Sequence, residues 1–372
     1  MKRILVLIMI LLLLCGCSSN AQPSAAVTSA AEATQAQEAS DPNALRLTQE
    51  ENVRKATYEN KSAYKDFLEI TEKLFLIPGL KQVLTPQGIA VCPTTGRTYI
   101  SAYSVDDVPS VIMVTEADTN ELVAEYHLYN ADGTPLTSHV GGVAVTQTHL
   151  YVSDKLDADG DYRIAAIPLS QLPAEGFHNI TVTETIAMAM SPSMMNFSGG
   201  YLWVGNFYHP NADYVLSPNM PYTTVADDGS EYGCYILGFD MAQGHERLLS
   251  AEAYPMPDVI LAAPNRIQGM TLAGDHKVVL SQSYGRANDS TLLVYSLDLN
   301  AEADLELTLN GQSIPAYLLD GHRLTQSINS IPMSEGLCTI SDGRVLVLYE
   351  SGAIRYQDGK HRTSYVWALS VE

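Results

Sequence analysis

The chain has 372 residues, with 42 acidic side chains against 21 Lys and Arg and a formal net charge of −21. Nucleic acid and anionic lipid surfaces would be repelled and are not expected as partners. Hydrophobic residues make up 46% of the chain, enough for one large core or two smaller ones. Beyond Cys15 and Cys17 only Cys92, Cys234 and Cys338 remain, an odd number without CxxC spacing, so they allow at most one disulfide. Each of these three falls in an expected strand, where a thiol acts as a small hydrophobe rather than a nucleophile.

In chain order, Lys2 and Arg3 followed by the apolar run Ile4 to Leu14 read as an export signal, too short to span a bilayer. The run ends in Leu14-Cys15-Gly16-Cys17, which resembles the bacterial lipobox. That resemblance implies a signal peptide over 1–16, lipidation of Cys17 with acyl chains such as palmitate, and a lipoprotein anchored to the cell membrane and facing the extracellular side. Residues 17–41 are rich in Ala, Ser, Thr, Gln and Glu with almost nothing large to bury, which reads as a disordered tether. Over 42–77 a helical segment is expected. Thr48-Gln49-Glu50-Glu51 has the form of a capping box, Val53, Ala56, Tyr64, Phe67, Leu68 and Leu74 recur at helical spacing, and Pro78-Gly79 would end the run. One face of such a helix would brace the main domain or dock a neighbour.

From 78 to 372 a unit recurs, in copies beginning TPQGIAVCPTTGRTYISAY, HVGGVAVTQTHLYVSD, PSMMNFSGGYLWVGNFY, IQGMTLAGDHKVVLSQSYGR and SEGLCTISDGRVLVLYESG. Each copy is an apolar strand, a turn and a second apolar strand that ends in small or polar residues. A third strand follows in every case: SVIMVTE, YRIAAIPLS, CYILGFDM, STLLVYSLD and SYVWALSVE. ELVAEYHLY and ITVTETIAM read as fourth strands after the first two copies. The unit is a four-stranded antiparallel meander. Gly88, Gly142, Asn196, Gly269 and Gly336 mark equivalent points, spaced 54, 54, 73 and 67 residues apart by subtraction. An all-β propeller of five blades with decorated loops is expected, a sixth requiring a divergent blade in the longest interval or near the N-terminus. That interval holds YHPNADYVLSPNMPYTTVADDGSEYG, read as an inserted surface loop. The last copy stops after its third strand, so LFLIPGLKQVL, before the first copy, is expected to complete it and remove the free edges.

By its repeats the chain resembles the SMP-30/gluconolactonase, strictosidine-synthase-like and NHL group of propellers, on a bacterial surface lipoprotein, although no NHL or WD signature is complete. In a propeller the loops at one mouth converge, so repeat-equivalent polar residues become neighbours. Aligned after the second strand these are Ala102, Asp154, Asn206, Gln282 and Glu350; at the start of the first strand they are Gln87, Gly141, Met195, Gln268 and Glu335. An oxygen-rich set on one axis suits calcium. The resemblance implies a metal held by a Glu/Asn/Asp set, which Asp154, Asn206 and Glu350 match in residue type.

Two histidines near the expected mouth, His139 and His209, are candidates for proton transfer. In SQSYGRANDS, Tyr284 offers a stacking face, Arg286 a planar fork for a carboxylate or phosphate, and Gly285 a turn between them; Gln282 and Tyr103 lie at equivalent strand ends. Asp157-Ala158-Asp159-Gly160-Asp161 alternates carboxylates as calcium loops do, but its glycine comes one place early and Pro168 stands where a bidentate Glu should be. GxSxG and HExxH are absent. The 21 Tyr against 6 Phe and 2 Trp suit contacts with glycans or peptides. The expected function is a surface-anchored propeller that binds an extracellular glycan, peptide or protein partner. The alternatives are a calcium- or other metal-dependent hydrolase of lactonase or esterase type, and a structural module of an envelope complex.

Overall fold

A computed structural model describes residues 46–371 apart from 54, 107, 155–161, 213 and 250–252. Cys17 and the acidic run 157–161 lie outside the described residues. The chain forms a ring of five blades, each built on a four-stranded antiparallel meander as the repeats require. The first blade is Thr85–Val91, Thr98–Tyr103, Val111–Thr115 and Leu122–Tyr129. The second is Val143–Val145, His149–Ser153, Tyr162–Pro168 and Glu184–Met188. The third is Met194–Ser198, Tyr201–Gly205, Cys234–Asp240 and Val259–Ala263. The fourth is Ile267–Ala273, Lys277–Gln282, Ser290–Ser296 and Leu324–Ser330. The fifth takes Ser334–Thr339, Val345–Tyr349 and Tyr365–Leu369 from the C-terminus and its outer strand, Thr71–Leu76, from the N-terminus. Closure by both chain ends is therefore as expected, with the strand three residues upstream of LFLIPGLKQVL.

Each blade interior strand is apolar on both faces because each face belongs to a different interface. In Val345–Tyr349, Val345, Val347 and Tyr349 pack toward the fourth blade, while Leu346 and Leu348 pack toward the first. Period-2 alternation thus sends alternate residues into adjacent cores, and the strand reads as a continuous apolar run. The glycines that mark the repeat are where innermost strands touch around the axis. A Cβ on Gly142 would lie 2.5 Å from Met195 N, and one on Gly336 would lie 2.8 Å from Ile89 N. Asn196 holds this place in the third blade, and its Nδ2 donates across the axis to Leu337 O at 3.0 Å.

Two connections were not legible as strands. ITVTETIAM is not one fourth strand: Gly176–Thr181 leaves its own blade and pairs in parallel with Leu122–Tyr129 of the first, and only Glu184–Met188 serves the second. Likewise the hairpin Leu305–Leu309 and Gln312–Leu318 adds in parallel to Val259–Ala263. Both cover an outer edge that would otherwise be open to pairing.

The helix expected over 42–77 is confined to a 3-10 turn, Ser62–Tyr64, and one short helix, Lys65–Ile70. Upstream the backbone crosses the ring as a non-helical strap because tertiary hydrogen bonds outweigh the capping box. Gln49 donates to Leu76 O and Asn120 O and accepts from Leu122 N. Asn52 Nδ2 donates to Leu80 O and Gly352 O. Tyr58, Tyr64 and Phe67 are buried against Trp367 and Tyr349, so the segment braces the fourth and fifth blades.

Candidate functional site

The second strands of all blades end at one mouth of the ring, where the first strands begin. The axial layer there is Gln87, Gly141, Met195, Gln268 and Glu335, polar on the fourth, fifth and first blades and apolar on the second and third. On the polar side two carboxylates meet. Glu335 is 4% exposed. It is hydrogen-bonded to Glu350, the residue after strand Val345–Tyr349. Gln87 Nε2 donates to Glu350 Oε2 at 2.9 Å, and the Tyr356 hydroxyl lies close enough to oppose the rise of Glu350. Gln268 Nε2 reaches Glu335 Oε1 at 3.5 Å, a long and weak contact.

Burial pushes Glu350 up to about 7, against hydrogen bonds from Tyr356 and Gln87 and the positive charges of Arg355 and Arg286. Burial also raises Glu335, and the charge of Glu350 and the hydrogen bond between them raise it further. Two carboxylates in contact cannot both ionise cheaply, so the pair holds a shared proton near neutral pH.

The pair sits within a wall of aromatic and cationic side chains. Arg355 Nη1 donates to the Tyr103 hydroxyl at 2.8 Å, and its guanidinium lies 5.0 Å from the Tyr356 ring centroid. Arg286 lies 4.8 Å from the same Tyr356 centroid, and its Nη1 donates to both Asp358 carboxylate oxygens at 2.9 and 3.0 Å. His139 packs edge-on to Tyr103, with ring centroids 4.2 Å apart. His139 is exposed as a residue, yet desolvation by the surrounding protein and then the Arg355 charge push it down to about 4, so the imidazole is neutral near pH 7.

The sequence-selected residues therefore separate into groups. Glu350, Tyr103, His139 and Arg286 belong to this cluster. Tyr284 and His209 form a second one across the third and fourth blades, with ring centroids 4.4 Å apart and Phe207 stacked 6.3 Å from Tyr284. Gln282 braces the chain instead, donating to Asn265 O at 2.9 Å. Asp154 and Asn206 also engage their own blades. Asp154 Oδ2 accepts from Arg163 Nε at 2.7 Å, and Asn206 donates to Gly233 O and accepts from Tyr235 N at 2.7 Å. Of the expected calcium set, Asp154 and Asn206 are thus bonded within their own blades, and the carboxylate beside Glu350 is Glu335. Cys92, Cys234 and Cys338 are buried free thiols, and burial raises Cys234 and Cys338, the latter to about 12, which agrees with a packing role.

Glu335 and Gln87 stood in the aligned column of first-strand residues, so their convergence was readable but not their contact with Glu350. Arg355 and Tyr356 come from a 3-10 turn, Ile354–Tyr356, that the repeat alignment treats as loop.

No family model and no curated protein matches the chain. Among solved structures, it is similar to an oxidoreductase of the glucose dehydrogenase type from Thermus thermophilus (14% identity, TM-score 0.40, covering 81% of this chain and 99% of that one). It is also similar to a gluconolactonase from Xanthomonas campestris (11% identity, TM-score 0.34, 79% and 88%). A third is the hydrazine synthase of Kuenenia stuttgartiensis (14% identity, TM-score 0.34), of which the chain covers 57% while 72% of this chain is covered.

Proposed function

We propose that this mouth binds a neutral, hydroxylated ligand, a glycan in the first instance, on the Glu335–Glu350 pair and the Tyr103, Tyr356 and Arg355 wall. The observation that carries the reading is the proton-sharing pair itself. A half-protonated carboxylate pair can both donate to and accept from hydroxyl groups, whereas a fully ionised one can only accept. Its burial is unfavourable to folding, and such groups are concentrated at functional sites. Tyr284 and Arg286 lie on exposed chain beside it and extend the surface a larger glycan would meet. The test is binding of a glycan panel to the protein, followed by titration calorimetry of any hit. Glu350→Gln and Tyr103→Ala should each weaken the hit, and a hit unaffected by both would overturn the site.

A second reading, hydrolysis of a lactone or ester, is favoured by the coexistence of Glu350, raised to about 7, with the neutral imidazole of His139 at one mouth. Glu350 is the candidate acid, and His139, pushed down to about 4, is a weak base at neutral pH. Turnover of chromogenic esters and lactones that disappears in both Glu350→Gln and His139→Ala distinguishes catalysis from binding. Calcium at the mouth would have to displace the shared proton in order to use the Glu335 and Glu350 carboxylates.

The lipid anchor at Cys17 and the extracellular position belong to the same proposal and are supported by the Leu14–Cys17 motif. Palmitate labelling of cells that is lost in Cys17→Ala, with release of the chain from the membrane, tests them.

A further inference from the structure

At the opposite end of the strands from the mouth, three metal-ligating side chains converge where the second and third blades meet. His149 opens the second strand of its blade and Glu184 the fourth, and His245 precedes the helical turn Glu246–Leu249 in the connection between the third and fourth strands of the next blade. One ring nitrogen from each histidine and one oxygen of Glu184 all lie within 4.8 Å of one another, and all three residues are partly buried. His245 Nε2 is 2.5 Å from Glu184 Oε1, and the two imidazoles stack with centroids 3.8 Å apart.

Outer contacts hold this group in place. The Tyr151 hydroxyl lies 2.7 Å from His245 Nδ1, and Thr148 Oγ1 lies 2.9 Å from His149 Nδ1. A hydroxyl on Nδ1 fixes the ring orientation and leaves Nε2 for another partner, which is the arrangement around metal-bound histidine.

We propose that His149, Glu184 and His245 bind a borderline transition-metal dication, Zn²⁺ in the first instance. Two nitrogens and one carboxylate oxygen are a zinc set with one coordination position left open, not the all-oxygen set of calcium. Bond lengths of about 2.0–2.2 Å require the His245–Glu184 pair to open by less than an ångström or so and His149 to swing toward it. Because His245 comes from the next blade, the ion would staple the second blade to the third. This site is independent of the mouth and of any reading of it.

Untagged full-length protein, stripped with chelator, is dialysed against Zn²⁺ and separately against Ca²⁺, and bound metal and melting temperature are measured. One equivalent of Zn²⁺, a raised melting temperature and no comparable response to Ca²⁺ are expected. Co²⁺ in place of Zn²⁺ should give the visible absorption of a four- or five-coordinate ion. His149→Ala and Glu184→Gln should lose the retained ion while melting, metal-free, within a few degrees of the parent. If His149→Ala does not fold, His149→Gln carries the same test. Absence of stoichiometric Zn²⁺, or retention of it by both variants, overturns the site and leaves the histidines as a hydrogen-bonded stack.

Discussion

Replacing Glu350 by Gln should make the protein more stable at alkaline pH while removing its proposed activity. Gln keeps the side-chain shape and an oxygen to accept from Gln87 and Tyr356, so the change is chiefly in charge. The magnitude follows from the raised acidity constant. A carboxyl moved from its ordinary 4.5 to about 7 alters folding free energy by about 3 kcal/mol, at about 1.4 kcal/mol per tenfold change in proton affinity. Its sign is set by the native state holding the extra proton. Between pH 4.5 and 7 the unfolded chain ionises and the native one does not, so stability falls as pH rises through that window, and the full loss is present above 7. Urea unfolding followed by the fluorescence of the buried Trp203 and Trp367, at intervals from pH 5 to 8.5, reads this directly. The parent should lose about 3 kcal/mol from this group across the range, and Glu350→Gln should flatten most of that fall. Parallel curves for the two proteins would show that the pair does not share a proton and would remove the basis of the proposed site.

Tyr356→Phe deletes a hydrogen bond that lowers Glu350, so the midpoint of the carboxyl titration followed by ¹³C NMR of labelled glutamate should move to higher pH. Gly142→Ala places a methyl 2.5 Å from Met195 N, where backbone must move, and should cost about 1–3 kcal/mol or more in urea unfolding. Asn52→Ala removes two side-chain hydrogen bonds, while Leu80 O still accepts from Ile354 N and Gly352 O from Arg362 Nη2, and should cost about 0.5–1.5 kcal/mol by the same assay. Tyr284→Ala removes ring contacts with His209 and Phe207 and should cost about 0.5–1.5 kcal/mol, so its glycan binding is measured at a temperature where it remains folded.

The blade plan was legible because each blade repeats one pattern of apolar residues, and a repeat shows where a single strand would be ambiguous. Closure was legible for a similar reason, since the final copy lacked a strand. What escaped the sequence was determined by partners far along the chain. Thr48 to Glu51 has the local signature of a helix start, yet Gln49 is held by residues 76, 120 and 122, and no local signal records those bonds. Gly176–Thr181 looks like part of its own blade because it adjoins Glu184–Met188 in sequence, and its parallel pairing with the first blade is a property of the assembled ring. At the site, alignment brought Glu350 and Asp154 to equivalent positions, but Arg163, opposite it across the hairpin, claims Asp154, while Glu350 accepts from Gln87. Equivalent backbone positions do not imply equivalent electrostatic surroundings.

That difference explains why only one sector of the ring carries the candidate chemistry. Five near-identical blades place five equivalent residues round the axis, and a uniform polar ring there would either hold a central ion or bury several unpaired groups. Here the axial column is divided. Met195 and Gly141 make the second and third blades apolar, and Asn196 crosses from the third blade to Leu337 O. Its Oδ1 is buried without a partner, a further polar group retained at the axis against its desolvation cost. The remaining sector concentrates Gln87, Gln268, Glu335 and Glu350, and burial there, with the charge of Glu350 acting on Glu335, raises the carboxyls. A symmetric, hydrated ring would leave them ionised and ordinary. The functional property of the mouth therefore arises from departures from the repeat, not from the repeat itself, and the residues to vary first are those by which one blade differs from its neighbours.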